Sequence, residues 1–439
     1  MKFYEFNLGI RFQNIVKKSP NHTAIKFSQN KDDFISYAEL NAKSNQISRF
    51  LLNANLAEND VVCISSEKVI QTYACMLACL KIGISYSILD IKSPKKRLMK
   101  IVDKAKPKML LLSNSLAKEI KGLCSSDGEQ YFVKDFDYLE SKSDKYSQNN
   151  LKNTRKIRGS IPAYIMFTSG STGSPKGAVI THSNVLNFIY WGTQQYDITN
   201  DSVFSNFNPL YFDNSVFDFY LSLFNGSTLI PFTKNEILNP KRLVTKIDKF
   251  QCTILFSVPS MFIYMDTMKI FTNPLKSIKY IIFGGEGYPK IKLKSLFDKI
   301  GHRVNLYNVY GPTECTCICT SYKISENDFI SLNDIAPLGR INDNFSFMIL
   351  NNFKNKVDNG EIGELYLMGP NVGKGYYKDN DLTNNSFIQN PFNSSYPEII
   401  YKTGDLVRLD IKDGKIYFHG RLDNQIKHMG YRIELEEIE

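Results

Sequence analysis

Ten residues, Thr168-Ser-Gly-Ser-Thr-Gly-Ser-Pro-Lys-Gly177, carry the densest chemical signal in the sequence. They follow directly on the apolar run Ala163–Phe167, which reads as a buried strand. Small residues let backbone N–H groups approach an anion, hydroxyls add donors, and Lys176 supplies a point charge. That combination suits a triphosphate. A loop of the GxxxxGK[ST] kind needs Ser or Thr after its lysine, and here Gly177 follows. The bland alternative is a flexible Gly/Ser turn. Farther along, Asn308-Val-Tyr-Gly-Pro-Thr-Glu314 places a carboxylate in a tight turn. Beside a phosphate loop, Glu314 is what a hard, oxygen-preferring cation needs; alone it is a solvated turn residue. Tyr401-Lys-Thr-Gly-Asp405 is a second turn with one carboxylate. Gly420-Arg-Leu-Asp-Asn-Gln-Ile-Lys427 offers Arg421 and Asp423, a pair worth little if it lies on the surface. In Phe212-Asp-Asn-Ser-Val-Phe-Asp218, Asp213 reads from its residues alone as a helix N-cap. Asp218 reads as a helix-surface residue.

Taken in order along the chain, these stretches resemble the adenylate-forming superfamily, specifically the adenylation domains of nonribosomal peptide synthetases and the D-alanine–carrier-protein ligases. TSGSTGSPKG is similar to that family's phosphate loop, which implies nucleotide contacts from Thr168, Ser169, Gly170, Ser171, Thr172, Gly173 and Lys176. Ile35-Ser-Tyr-Ala-Glu-Leu40 and Leu80-Lys-Ile-Gly-Ile-Ser-Tyr86 resemble its two early structural motifs, which touch no ligand. The second departs at Ile88, where the family usually has Pro. By resemblance, Tyr310 stacks on adenine, Asn308 reads its amino group, Thr313 contacts the α-phosphate and Glu314 binds Mg2+. Thr313, Glu314 and Lys176 are then the residues that carry catalysis. Gly285, Glu286 and Phe418 join the implied ATP site, Asp405 accepts from the ribose hydroxyls, Arg421 reaches the nucleotide, and Asp423 is the hinge. By the same resemblance Asp213, otherwise a helix N-cap, takes the place of the carboxylate that pairs with the substrate ammonium; stranding one charge of such a buried pair costs about 3–5 kcal/mol, which selects for an ammonium. The other implied pocket positions are Asn214, Phe217, Ser257, Ile282, Gly284, Val309, Cys317 and Ile318. Gly284 removes a wall side chain, or it and Ile282 are plain strand packing. Asn214 and Ser257 could hydrogen-bond a polar group, which hints at a small to medium, uncharged substrate side chain.

The resemblance implies ATP- and Mg2+-dependent conversion of an amino acid to aminoacyl-AMP. Pyrophosphate would leave, and the aminoacyl group would pass to a phosphopantetheine thiol on a carrier protein. The attacking carboxylate is already ionised, so positioning and charge neutralisation suffice and no side-chain nucleophile is required. An acyl- or aryl-CoA ligase shares the ATP motifs and is the rival enzyme, against which Asp213 speaks. A nucleotide-binding or interaction module is the non-enzymatic rival. In the family, a lysine from a C-terminal subdomain of about a hundred residues also meets the substrate carboxylate. The chain ends on RIELEEIE, a strand running into a helix start. The expectation is that this lid subdomain is largely absent and that the chain alone adenylates poorly.

An α/β fold must hold these residues. The first 140 positions alternate amphipathic stretches (Tyr37–Leu52, Val69–Ile82) with short apolar runs (Val61–Ser65, Met109–Leu112), the rhythm of βαβ units and a mostly parallel sheet. Ser141–Ser160 is polar and reads as a surface loop. Strands recur at Thr253–Ser257 and Tyr280–Phe283. From about Leu338, short strands with turn signals (Phe347–Asn351, Glu364–Met368, Asp405–Asp410, Lys415–His419) suggest a small distorted β-barrel. The expected layout is two mostly parallel sheets with flanking helices over 1–337, the barrel over 338–421, and the hinge with the start of a lid over 422–439.

At 439 residues the chain exceeds what one hydrophobic core usually serves, and 43% apolar with 22% charged residues is ordinary for a globular protein. No apolar run approaches the roughly 18 residues of a membrane span, and the N-terminus lacks a signal-peptide pattern. A cytoplasmic enzyme with no membrane partner is the expectation. Net charge is +10, but the cations are spread out. The densest basic stretch, Lys92–Lys108, has apolar residues at helical spacing and reads as a solvated helix face rather than a nucleic-acid surface. Cys315, Cys317 and Cys319 would share one face of a strand. A thiolate metal site there lacks completing ligands, so they read as apolar wall.

Overall fold

The structure, a computed structural model, describes residues 4–27, 33–90, 92–124, 132–170, 173–272, 275–423, 425–428 and 431–434. The chain opens with β1 (Thr23–Lys26) and β2 (Phe34–Ser36). It then lays down β3 (Val61–Ser65), β4 (Ser85–Leu89), β5 (Met109–Leu112), β6 (Phe132–Asp135), β7 (Pro162–Thr168) and β8 (Lys176–Thr181). Next come β9 (Val203–Asn206), β10 (Thr228–Pro231), β11 (Ile254–Ser257), β12 (Tyr280–Gly284), β13 (Asn305–Tyr310) and β14 (Thr320–Lys323). A last group is β15 (Ser346–Leu350), β16 (Ile362–Met368), β17 (Phe387–Gln389), β18 (Ile399–Asp410) and β19 (Lys415–Arg421).

β3 to β8 form one six-stranded sheet in the order β6-β5-β3-β4-β7-β8, parallel except for the β7/β8 hairpin. β9 to β13 form the parallel centre of an eight-stranded sheet, with β14 antiparallel at one edge. The N-terminal strands β1 and β2 complete the other edge of that sheet, β1 pairing parallel with β10. The two expected mostly parallel sheets are therefore present, and a shared apolar core containing Phe12, Tyr73, Phe217, Phe256 and Val309 lies between them. The third group differs from the expectation. It pairs antiparallel as β15-β16-β18-β17, with β19 on the second half of β18, and no pairing closes its ends among the described residues. It is an open sheet, not a barrel. At twelve residues β18 is long enough to carry two short partners side by side, so closure is unnecessary.

Helices α1 (Leu8–Lys18), α2 (Tyr37–Asn53), α3 (Ile70–Ile82) and α4 (Lys95–Ala105) cover the first sheet or lie between the two. α2 starts at a capping box, Ser36 with Glu39, which supplies partners for otherwise orphaned N–H groups. α3 is buried nearly all round, and its Lys81 Nζ donates to Asn41 Oδ1, Ser44 Oγ and Asn45 Oδ1 of α2 at 2.7, 2.6 and 2.8 Å. That cluster ties the second early motif to the helix that begins within the first. The segment 141–160, expected as a free surface loop, is strapped to α2 instead. Asn45 and Gln46 donate to the carbonyls of Gln148 and Asp144, while Leu151, Thr154 and Ile157 are buried.

His182, at the start of the helix His182–Gln195, is fully buried and accepts the Leu8 N–H on Nδ1 at 3.1 Å; its Nε2 has no partner. Burial lowers its pKa from 6.5 to about 3. Between these values the unfolded chain binds a proton that the folded chain refuses. Stability present above pH 6.5 is therefore lost as pH falls, by about 1.4 kcal/mol per unit. Between pH 6.5 and 5.0 the wild type is expected to lose about 2 kcal/mol more unfolding free energy than His182→Asn. Denaturant titrations at both values check this, and parallel losses would refute it.

Candidate active site

A cavity of about 740 Å3 opens where the C-terminal ends of the parallel strands meet the third sheet. Ligands in open α/β sheets lie at such strand ends, because the backbone there leaves the sheet and its loops can converge. Phe167, Thr168 and Ser169 border it from the end of β7, and Phe256 from β11. Gly284 and Gly285 come from β12, Val309 to Thr313 from β13 and the turn beyond, and Thr403, Asp405 and Arg421 from the third sheet.

The phosphate loop is the β7/β8 hairpin, closed by Thr168 opposite Lys176. Its glycines are required by geometry. A Cβ on Gly170 would stand 2.1 Å from the Ser174 carbonyl oxygen, and Gly173 has φ +70° with its N–H bonded to the Gly170 oxygen at 3.0 Å. Thr168 Oγ1 is buried without a partner, and the residue borders the cavity: an unspent donor where an anion would sit. Ser171 and Thr172 lie outside the described residues.

Lys176 and Glu314 meet each other rather than the cavity. Lys176 Nζ is 3.8 Å from Glu314 Oε1, and Glu314, fully buried, accepts the Tyr376 hydroxyl at 2.7 Å. Its neighbour Thr313 does border the cavity. Among the described residues no group of three or more His, Cys, Asp or Glu could hold a metal ion alone. A single carboxylate such as Glu314 would hold a cation only together with phosphate oxygens and water, which is how Mg2+ is usually held. Sequence reasoning missed Tyr376, which carries no local signal; only the fold reveals that it orients Glu314.

On the nucleoside side, Asp405 is nearly inaccessible and accepts from Tyr310 Oη and Arg421 Nη1, both at 2.5 Å. Burial, then the Asp405 charge, pushes the Tyr310 phenol well above its ordinary range, so it remains a donor. Arg421 also grips Asp423 through Nε and Nη2, both at 2.6 Å, which links the implied hinge residue to the cavity wall. Asn308, Glu286 and Phe418 are not among the bordering residues. Asn308 Nδ2 donates to the Pro337 carbonyl at 2.7 Å, Glu286 accepts from Ser260 N–H at 3.3 Å, and Phe418 packs on the core of the third sheet.

Six of the nine implied substrate positions border the same cavity: Asp213, Asn214, Gly284, Val309, Cys317 and Ile318. Phe217 and Ile282 are fully buried behind it, and Ser257 Oγ donates to Asn208 Oδ1 at 3.4 Å, also behind the wall. Phe256 borders it instead. A Cβ on Gly284 would lie 2.4 Å from the Val309 carbonyl oxygen, so strand packing and an open wall both require this glycine. Asp213 stands at the N-cap position of the helix Asn214–Leu223 but makes no side-chain cap bond. Its Oδ2 accepts from Thr313 Oγ1 at 2.5 Å. Ile88, where the second early motif departs from the family, borders the cavity as well.

Two further expectations are corrected. Asp218 is not a surface residue: it is fully buried, and its Oδ2 accepts from Asn206 and Asn208 Nδ2 at 2.9 and 3.3 Å. It sits one residue past Phe217 on a helix buried nearly all round, where one-face reasoning fails. Cys315, Cys317 and Cys319 do not share a strand face. Thr313–Cys315 is a 3-10 turn, and Thr316 and Cys317 have φ +58° and +76°, which turns Cys317 to the cavity and its two neighbours to the third-sheet core. Burial, then the charges of Asp213 and Asp218, pushes the Cys317 thiol far up, which opposes a thiolate ligand.

A family model described as AMP-binding enzyme matches residues 12–377. Bacitracin synthase 1 of Bacillus licheniformis is 33% identical over 428 residues, covering 98% of this chain and 8% of that protein. Gramicidin S synthase 1 of Brevibacillus brevis is 29% identical, covering 98% of this chain and 37% of that protein. The chain thus spans well under half the length of these two relatives. An artificially fused adenylation–PCP di-domain, NpsA-ThdA from Klebsiella oxytoca, shares the fold with a TM-score of 0.84 at 22% identity, covering all of this chain and 83% of its own.

Proposed function

This chain belongs to the AMP-binding enzymes, with nonribosomal peptide synthetases among its relatives, and on that premise we propose that it activates an amino acid as aminoacyl-AMP at the expense of ATP. The observation that carries the reading is the Thr313–Asp213 hydrogen bond: it joins the residue implied for the α-phosphate to the residue implied for the substrate ammonium, inside one cavity. A zwitterion held by Asp213 presents its carboxylate toward Thr313 and the phosphate loop. Its oxygen attacks the α-phosphorus, and pyrophosphate leaves. Thr168 and Ser169 bind the phosphates; Tyr310, Asp405 and Arg421 hold the nucleoside; Lys176 and Glu314, now paired, would separate as the phosphates enter. Mg2+ bound with them supplies charge neutralisation at the pyrophosphate. The aminoacyl group then passes to a carrier-protein phosphopantetheine thiol, giving a soluble, cytoplasmic loading enzyme. Among the described residues no helix is long and apolar enough to cross a membrane.

The test is pyrophosphate–ATP exchange in the full-length protein, with a panel of amino acids and the matching acids lacking the amine. At least one amino acid is expected to support exchange about a hundredfold better than its des-amino analogue, since the buried ammonium position is then left uncompensated. Equal rates with the des-amino acids would favour an acyl- or aryl-CoA ligase. No exchange with any acid would leave only a binding module.

A further inference from the structure

One wall of the cavity has no task in this mechanism. Lys92, just before α4, and Lys96, Arg97 and Lys100 on its first turns all border the cavity. Lys96 and Lys100 lie one turn apart with Arg97 beside them, and Lys92 precedes them on the approach to the helix, while Leu98, Val102 and Ala105 anchor the opposite side. The helix directs its remaining cations elsewhere: Lys95 pairs with Glu119 at 2.8 Å and Lys104 with Asp379 at 2.7 Å. Lys100 Nζ donates to the Gly173 carbonyl at 2.8 Å, which fixes this face against the phosphate loop. The solvated helix face expected from the sequence is therefore also a cleft wall. The acids that border the same cavity are Asp90, Asp213 and Asp405. Asp405 is engaged by Arg421, Asp213 by Thr313, and Asp90 Oδ1 accepts the Lys92 backbone N–H at 2.9 Å.

We propose that this basic face is an anion subsite for the β- and γ-phosphates of ATP and for the pyrophosphate they become, a proposal that rests on the adenylation reading above. When the carboxylate oxygen bonds to the α-phosphorus, the bridging P–O bond breaks and its electron pair departs on pyrophosphate. Negative charge then accumulates on the group nearest this wall. A cleft lined by one sign of charge concentrates its counter-ion, and solvent-exposed lysines bind it without the tight burial that would trap the product. Charge matching selects the ligand. A wall of one sign of charge suits a multiply charged diphosphate better than a phosphopantetheine arm, which brings a single phosphodiester charge.

The test uses the full-length protein and titrates inorganic pyrophosphate, AMP and free phosphopantetheine separately, by calorimetry, into wild type and Lys92→Gln/Lys96→Gln. Both lysines are exposed, so the variant is expected to keep the wild-type unfolding midpoint. Pyrophosphate affinity should fall about tenfold and lose part of its salt dependence, with AMP affinity within about twofold of wild type. Unchanged pyrophosphate affinity, an equal loss of AMP affinity, or a loss confined to phosphopantetheine would each overturn the subsite. A wild type that binds AMP but not pyrophosphate also sinks it while sparing the adenylation reading. Binding of neither AMP nor pyrophosphate sinks both.

Discussion

Asp218→Ala is expected to lower the unfolding free energy by about 3–5 kcal/mol, the largest stability loss of any single side-chain truncation proposed for this chain. Asp218 is fully buried, and two amides, Asn206 and Asn208 Nδ2, donate to its Oδ2. Lys68 lies within Coulombic reach, its Nζ donating to the carbonyls of Asn206, Phe207 and Phe232 at 2.6, 3.1 and 3.1 Å. Burial pushes the Asp218 carboxyl up and the Lys68 ammonium down, while each opposes the shift of the other. Truncation removes the acceptor of two buried donors and the counter-charge of a cation at once, and each orphaned group retains its desolvation cost. Asp218→Asn keeps one acceptor oxygen and should lose less than half as much. Lys68→Met with Asp218→Leu removes both charges and should recover part of the loss, as apolar replacement of buried pairs does elsewhere. Urea titration of the three variants checks the order; Asp218→Ala falling by under about 1 kcal/mol would refute it. The loss should reach function too, because Asn208 also donates to the carbonyl of Phe256, a cavity residue, at 3.0 Å.

That network was invisible in the sequence, and the reason is instructive. Local signals located what is local. The Gly/Ser/Thr hairpin, the strands Ile254–Ser257 and Tyr280–Gly284, and the helices beginning near Tyr37 and Ile70 follow from periodicity and punctuation. The order of short motifs then brought Thr168, Asp213, Thr313, Asp405 and Arg421 to one cavity, because each lies at a strand end or in an adjoining turn. Long-range pairing was not legible. Nothing in Thr23–Lys26 announces that it will cross to pair with Thr228–Pro231, and a twelve-residue strand sharing two partners looks the same in sequence as a closed barrel. Burial on every side of a helix also defeats one-face reasoning, so the sequence pattern alone puts Asp218 at a surface that the fold does not leave open. Lys92–Lys108 is the converse: its pattern reads as a solvated helix face, but a solvated face can border a cleft, and only the docking of Lys100 on Gly173 shows that it does.

Asp213→Ala is expected to reduce the specificity constant for amino-acid-dependent exchange by about a hundredfold while leaving ATP affinity within a few-fold. The magnitude corresponds to about 3 kcal/mol, the lower end for a stranded buried charge, since Asp213 is only half-buried until substrate covers it. The loss should fall mainly on KM for the amino acid, because the ammonium takes no part in bond making and interacts in the ground and transition states alike. Asp213 caps no helix N–H in the structure, so its replacement should cost little stability, which separates a binding role from an architectural one. Thr313→Val supplies the complementary measurement. Its hydroxyl donates to Asp213 Oδ2, so removing it frees the carboxylate for the ammonium yet deprives the α-phosphate of a contact. Amino-acid KM should hold steady or fall while kcat drops. If Asp213→Ala instead weakens ATP as much as amino acid, or des-amino acids and amino acids suffer alike, Asp213 orders the Thr313 turn and does not recognise the ammonium.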